Sequence, residues 1–429
     1  MKLRKFLFLA AAATLSAPAL AQPVGTNPAV TYLMQTYGLA KDEAQMRIDL
    51  QNEIIALSER LNSGSEPDFG DMYIKQEPQF RIVVLFANSS DRKDFLDSLD
   101  PKLRRYVQLK TAKKSRGVFT RELTELSAAL NALKLPFTAK YDLETEKYVV
   151  NVETEEAAAR VRASLPETRK VETLVQVVPL PKVQSAPTGV VAGDALPGGS
   201  AVFVSQLPAG TTDATVRSSD LADCTLSYAV GYTIGGVAKR GILTAGHCPD
   251  TMVARIGGHY VTLSGPDVQR PNRDTDGLSD KYDFQIFDTT GITVDNRVGY
   301  FDENSIPEFP DSGELRLTAI TSFLNQKAGM VVCKSGANSG ITCGSITNGN
   351  LTWDGVPGWI EVSKTNQRVI SVGGDSGAAW FLYPGSSTTI TGVGVHTAGN
   401  AVPGTTGIAI YMPIDYIDDQ NSTINTIKQ

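Results

Sequence analysis

A chain of 429 residues exceeds what one hydrophobic core usually serves, so two or three domains are expected. Charged residues are 20% and hydrophobic residues 41%, which reads as soluble and globular. The net charge is -6 with no long basic run, and this excludes an electrostatic grip on nucleic acid or anionic lipid.

The first residues read as an address. "MKLRK" is a positive n-region, "FLFLAAAATL" a short apolar core, and Ala19-Leu20-Ala21 a small-residue cleavage site. Residues 1–21 are therefore expected to be a secretory signal peptide. The apolar run is too short to span a bilayer and no later span of the needed length follows, so no membrane partner is expected. The product is expected to be secreted, to an extracellular or periplasmic compartment.

Between Gln22 and Ser185 there are 23 Lys/Arg and 23 Asp/Glu, against 14 and 23 from Ala186 onward. Such a shift marks separate units. We expect an α+β unit over 22–185 and a second over 186–429, joined near residues 179–189, "PLPKVQSAPTG".

In the first unit, "KDEAQMRIDLQNEIIALSERLN" has apolar residues at helical spacing and predicts an amphipathic helix. "RIVVLFAN" predicts a buried strand, and "TRELTELSAALNAL" a helix capped at Thr120. "TAKYDLETEKYVVNVET" predicts a hairpin, "EEAAARVRASL" a helix, and "VETLVQVVPLP" a strand. From "GVVAGDALPGGSAVFVSQ" onward, short β-branched runs alternate with turns. "CTLSYAVGYTIGGVAKRGILTAGHC" predicts strand, Gly-Gly hairpin and strand. The only candidate helix is at "IDYIDDQNSTINTI". This pattern argues for an all-β sandwich or barrels.

Four cysteines, Cys224, Cys248, Cys333 and Cys343, lie in the second unit. In an oxidising compartment an even count implies disulfides. Three pairings are possible; Cys224–Cys248 with Cys333–Cys343 closes the shortest loops. No metal is expected, because the cysteines lack partners at ligand spacing, and no cofactor is implied.

The chain has three histidines. His247, in "ILTAGHC", follows an apolar strand. A serine nucleophile needs a base near neutral pH, and that base needs a carboxylate to orient it. "SDKYDFQIFDT" offers Asp280, Asp283 and Asp288, of which Asp283 begins the apolar alternation and Asp288 reads as an exit turn. In "SVGGDSGAAWF", Ser376 sits among glycines that let backbone N–H groups point at a developing oxyanion. His259, in "RIGGHYV", reads as a barrel-surface residue.

The order His…Asp…Ser, with "TAGHC" and "GDSG", resembles the chymotrypsin-like serine peptidases. "VCKSGANSGITCGSI" and "VAGDAL" resemble the secreted bacterial α-lytic protease and streptogrisin group over most of residues 190–429. Residues 25–180 resemble that group's long pro-region. The resemblance implies two antiparallel six-stranded β-barrels preceded by an α+β pro-domain. It implies Ser376 as nucleophile, His247 as base and then acid, and Asp283 as orienting carboxylate. It further implies an oxyanion hole from the backbone of Gly374 and Ser376, and a structural pairing of Lys334 with Asp375. Two departures stand out. Ala378 follows "GDSG" where the group usually has Gly, and no disulfide precedes the nucleophile.

"TGVGVHTAGN" matches the strand that lines the primary specificity pocket. By that match Thr397, Ala398 and Gly399 form the edge to which a peptide adds as a strand. His396 falls at a pocket position, where it would face a substrate carboxylate, donating a hydrogen bond and carrying a compensating charge; Ser371 would supply a second donor. A preference for Glu is set against one for small apolar residues. The pro-region is expected to act as folding catalyst and inhibitor, because barrels of high contact order fold slowly. Polypeptides are the expected substrates, and the mature enzyme is expected to be a monomer. The competing reading is a catalytically silent relative that binds peptides in the same cleft.

Overall fold

A computed structural model describes residues 27–66, 68–88, 91–183, 202–204, 222–256, 259–270, 281–289, 296–301, 312–364, 369–383, 385, 388–400, 407–417 and 424–426. The expected signal peptide, the boundary at 185/186, the "VAGDAL" motif and Asp280 lie outside the described residues.

The N-terminal part carries two long helices first, α1 (Pro28–Tyr37) and α2 (Lys41–Arg60). Asn27 caps α1 through its side chain, with Pro28 at the first turn, where a missing N–H costs nothing. The α2 span matches its amphipathic pattern. Then come β1 (Phe69–Lys75), β2 (Arg81–Phe86), α3 (Lys93–Asp97), α4 (Pro101–Arg104) and β3 (Val107–Thr111). These strands form a three-stranded sheet in which β2 and β3 run parallel. Helix α5 (Arg116–Asn131) starts earlier than expected, with Ser115 at its N-cap. Thr120 lies inside it, where its carbonyl accepts from the Thr124 hydroxyl, so a capping signature within a longer helical pattern misplaced the start. The expected hairpin is β4 (Thr138–Asp142) and β5 (Lys147–Val152). Helices α6 (Glu155–Ser164), capped by Thr154, and α7 (Glu167–Lys170) follow, and β6 (Thr173–Val177) pairs parallel to β5. Helix α1 and strands β1 and β3 were not legible in the sequence.

The C-terminal part is all-β. Its strands are β7 (Val202–Val204), β8 (Ala222–Thr225), β9 (Ala229–Ile234), β10 (Val237–Thr244), β11 (Thr251–Ile256), β12 (His259–Ser264), β13 (Val268–Arg270), β14 (Phe284–Asp288), β15 (Arg297–Phe301) and β16 (Ser312–Ile320). They continue with β17 (Val331–Gly336), β18 (Gly340–Trp353), β19 (Val356–Lys364), β20 (Ala379–Leu382), β21 (Thr389–Asn400), β22 (Gly407–Pro413) and β23 (Asn425–Thr426). Gly235 and Gly236 turn β9 into β10 with φ of 58° and 80°, which suits a two-residue hairpin. The described first-barrel strands pair as two sheets, in the orders β13-β14-β10-β9-β23 and β12-β11-β7-β8.

The second barrel closes. Strand β17 pairs with β18, β18 with β19, β19 with β22, β22 with β21, β21 with β20, and β20 with β17, all antiparallel. Closure leaves none of the six with both edges open, which removes the edge-pairing hazard. Val332, Ile346, Val362, Trp380, Leu382, Val393 and Tyr411 are buried together in its packing. At the C-terminus only Tyr416 and Ile417 are helical before the description stops, and Asn425–Thr426 pairs with β9 as a strand. Sheet pairing there replaces the later part of the expected helix.

The two parts share one continuous sheet. Thr138 and Ala139 of β4 pair with Trp353 and Thr352 of β18. Buried polar contacts lock the seam. Lys327 Nζ lies 2.6 Å from Asp71, Lys140 pairs with Glu361, and Gln51 exchanges hydrogen bonds with the Val331 backbone. Among the described residues no helix is long and apolar enough to cross a membrane.

Candidate active site

His247 stands three residues beyond β10. Cys248, next to it, bonds to Cys224 on β8, which ties that end of the strand down. Asp283 immediately precedes β14, β10's antiparallel neighbour, so sheet pairing brings base and carboxylate together. Asp283 is fully buried. Its oxygens lie 3.1 and 2.9 Å from His247 Nδ1, and one accepts the His247 backbone N–H at 3.0 Å. His247 Nε2 is 2.9 Å from Ser376 Oγ. Burial pulls the His247 pKa down, but the charge of Asp283 and its hydrogen bond outweigh this and raise it above the ordinary histidine value. Asp288 is not at the site; it accepts from Lys239 at 3.0 Å.

The loop that carries Ser376 is held from every side. Gly377, at φ 88°, donates to the His396 carbonyl at 2.8 Å. A Cβ there would lie 2.2 Å from the Thr225 carbonyl oxygen, so the position requires glycine. The Thr225 N–H donates to the Ser376 carbonyl at 2.7 Å, and the Thr225 hydroxyl to the Gly374 carbonyl at 2.8 Å. The N–H groups of Gly374 and Ser376 donate to no described residue.

Asp375 points away from His247 into a fully buried pair. Lys334 Nζ donates to it at 2.6 Å, and the N–H groups of Val372, Asn338 and Ser339 donate at 3.0, 3.1 and 3.1 Å. Burial pushes its carboxyl up, yet Lys334 and these donors hold it below the ordinary carboxylate range. The Ala378 methyl, a departure from the expected glycine, is accommodated in a fully buried site. Cys333 and Cys343 face each other across β17 and β18 as the second disulfide.

His396 is buried, and its Nδ1 accepts from Trp380 Nε1 at 3.3 Å. An indole N–H can only donate, so Nδ1 carries no proton and the neutral ring's proton is on Nε2. Burial, and then the Lys334 charge, push its pKa down to about 3. This differs from the compensating charge that the resemblance suggested: the ring is a neutral donor. Ser371 is buried nearby in sequence to Asp375. The Thr397 hydroxyl is buried without a partner among the described residues. Gly399 exchanges both backbone hydrogen bonds with Lys182, each 3.0 Å, and the Asn400 side chain donates to the Pro179 carbonyl at 3.1 Å.

Sequence reasoning overlooked Trp380, Thr225 and Asn400. Trp380 alone left a signal: a tryptophan in an apolar run after "GDSGAA" must find a partner for its N–H when buried. The side chain of His259 is outside what is described. Among the described residues no cluster of His, Cys, Asp or Glu could hold a metal ion.

No family model matches the chain. It is 30% identical over 188 residues to glutamyl endopeptidase 2 of Streptomyces griseus, covering 44% of this chain and 86% of that protein. It is 26% identical over 308 residues to serine protease 1 of Streptomyces fradiae, covering 64% of this chain and 78% of the other. Among solved structures, Thermobifida fusca protease A aligns at 22% identity and TM-score 0.33, over 48% of this chain and 92% of that one. A protease described as glutamic acid specific and using a histidine triad in substrate binding aligns at 21% and 0.33, over 47% and 92%.

Proposed function

Since the chain belongs to the chymotrypsin-like serine endopeptidases of the bacterial α-lytic protease and streptogrisin group, we propose that it is a secreted zymogen cutting peptide bonds with a Ser376-His247-Asp283 triad. The observation that carries this is the unbroken line from Asp283 through both His247 nitrogens to Ser376 Oγ. His247 Nε2 takes the Ser376 proton as Oγ bonds to the substrate carbonyl carbon. The same nitrogen then gives that proton to the leaving amine as the C–N bond breaks. Water, deprotonated by His247, hydrolyses the acyl ester, and the proton returns to Ser376. Asp283 holds the ring's orientation and stabilises its transient charge. The N–H groups of Gly374 and Ser376, which donate to no described residue, suit a developing oxyanion; losing one such donor typically costs about 10²–10³ in rate.

The substrate side chain preferred before the cut is Glu. A neutral His396 with Nε2 as its donor favours an acceptor-bearing side chain over an apolar one. A relative is named for glutamyl activity. Residues 22–185 form the pro-region, which closes the cleft by pairing its last described residues with Gly399 and Asn400. The mature enzyme, residues 186–429 or close to them, acts as a monomer on polypeptides.

The test is a peptide-library digest by the purified protein and by its Ser376→Ala form, read by mass spectrometry. Cuts after Glu that vanish in the variant are expected. Cuts after apolar residues would overturn the specificity and keep the triad. No cuts from a protein freed of residues before 186 would leave the silent peptide-binding relative.

A further inference from the structure

Gly373 and Gly374 stand side by side just before Asp375 and Ser376. The peptide unit between them has no side chain on either flank, so it can turn over at little steric cost. That unit is planar and trans, so its carbonyl oxygen and its N–H point in opposite directions. If the Gly373 carbonyl turned toward Ser376, the Gly374 N–H would turn away from the reacting carbonyl. A carbonyl lone pair would then meet the developing oxyanion where a donor is needed. Gly374 sits at φ 91°, a region that glycine enters freely. The choice between the two orientations has to come from outside the pair.

The side chain of Asn338 makes that choice. Its Nδ2 donates to the Gly373 carbonyl at 2.7 Å, and the residue is 4% exposed. A carbonyl only accepts, so the amide end turned to it is the NH2. The Gly374 N–H, on the opposite side, donates to no described residue. Asn338 lies in the turn between β17 and β18, whose strands the Cys333–Cys343 bridge joins. That turn is fixed through its backbone. The Ala337 N–H donates to the Thr225 hydroxyl at 2.9 Å, and the Asn338 and Ser339 N–H groups donate to Asp375 at 3.1 Å each. The turn presses on the nucleophile loop, since a Cβ on Gly336 would lie 2.3 Å from Asp375 Oδ1. The peptide units on either side of Gly373–Gly374 have other anchors: the Val372 N–H donates to Asp375, and the Gly374 carbonyl accepts from Thr225. A rigid frame thus delivers the Asn338 amide to the one unit whose orientation sets the Gly374 donor.

We propose that Asn338 is the positioning residue of the oxyanion hole, its side-chain amide holding the Gly373–Gly374 peptide so that the Gly374 N–H faces the reacting carbonyl. Asn338 touches neither the substrate nor the reacting atoms. It acts through one N–H that is called upon when the oxyanion forms, so it lowers the barrier without tightening ground-state binding. The proposal rests on the reading of Ser376 as nucleophile.

The experiment compares the purified protein, matured from the full-length chain, with its Asn338→Ala form on one peptide amide. Ser376 is titrated to an end point with a fluorophosphonate, and rates are expressed per labelled site, so a misfolded fraction drops out. Asn338→Ala should lower kcat by roughly ten- to a hundredfold, short of the loss of a whole donor, with KM unchanged. A peptide aldehyde, whose adduct with Ser376 carries the same oxyanion, should lose affinity by the same factor as kcat/KM. Asn338→Ser keeps a shorter donor; it should show the same pattern at a smaller factor, and it carries the test if the Ala form does not fold. An unchanged kcat overturns the proposal. So does a loss confined to KM, or a fall in kcat/KM that leaves aldehyde binding unmoved, since either marks Asn338 as packing alone. Wild-type protein that neither labels nor cuts sinks the triad reading itself; wild type that does both beside an unchanged variant sinks only the role of Asn338.

Discussion

At the residue scale, the chemistry turns on how two histidines are charged. In the proposed mechanism His247 needs its neutral form to accept the Ser376 proton, and Asp283 favours its cation. The raised pKa means that protonation abolishes the base as pH falls through a value above 6.5, so activity is retained only on the alkaline side. The acid limb of kcat/KM against pH should have its midpoint above 6.5; a midpoint below it would contradict the account of Asp283. His396 stays neutral down to about 3 and should add no second limb. Trp380→Phe removes the donor that fixes the His396 tautomer. The Glu-over-Leu ratio of kcat/KM should then fall about three- to tenfold, the worth of one neutral hydrogen bond. Equal losses on both substrates would mark Trp380 as packing alone.

At the scale of elements, two buried devices hold the second barrel's loops in place. Lys334 on β17 reaches Asp375 in the turn before β20. Asp375→Asn leaves a buried ammonium without a counter-charge, which typically costs about 3–5 kcal/mol. Urea unfolding of the mature domain should register it, and an unmoved midpoint would show the pair to be idle. The Cys333–Cys343 bridge closes a hairpin with a sequence separation of 10. Replacing both by Ser should lower stability by roughly 2–4 kcal/mol, read in the same assay. No disulfide precedes the nucleophile, as the cysteine positions require, and fully buried Ile370 packs there.

At the scale of the whole molecule, the N-terminal part is joined to the barrel by a shared sheet and by charges that meet across the seam. Burial pushes the Asp71 carboxyl up, but Lys327 and Arg116 outweigh it and hold it below its ordinary 3.8. A depressed carboxyl stabilises the contact above its unfolded pKa and loses that contribution as pH falls through the folded value. Once separated by the proposed cut, the N-terminal part should stay bound from neutral pH down to about 4, the ordinary Asp range, and loosen below it. Gel filtration of the cleaved protein across that range checks this. Asp71→Asn should release the segment at neutral pH, because Lys327 is left buried without its partner.

The sequence alone determined the residue types of the candidate site and most long elements. Those features are written in local terms: the 3.6-residue spacing of α2, the alternation of β9 and β10, the Gly-Gly turn, and the glycines around Ser376. It did not determine α1, β1 or β3, whose residues are buried by partners distant in sequence. It could not give the α5 start, because Thr120 offers a cap inside a longer helical run. The sequence already favoured Asp283 over Asp288, because Asp283 opens the apolar alternation; the tertiary structure supplies the reason, since β10–β14 pairing brings that end of β14 to His247. Only the tertiary structure set the His396 tautomer, through a Trp380 N–H that packing aims at Nδ1. The register of Lys182 against Gly399 joins residues 217 apart in sequence, and no local pattern carries a pairing made across that distance.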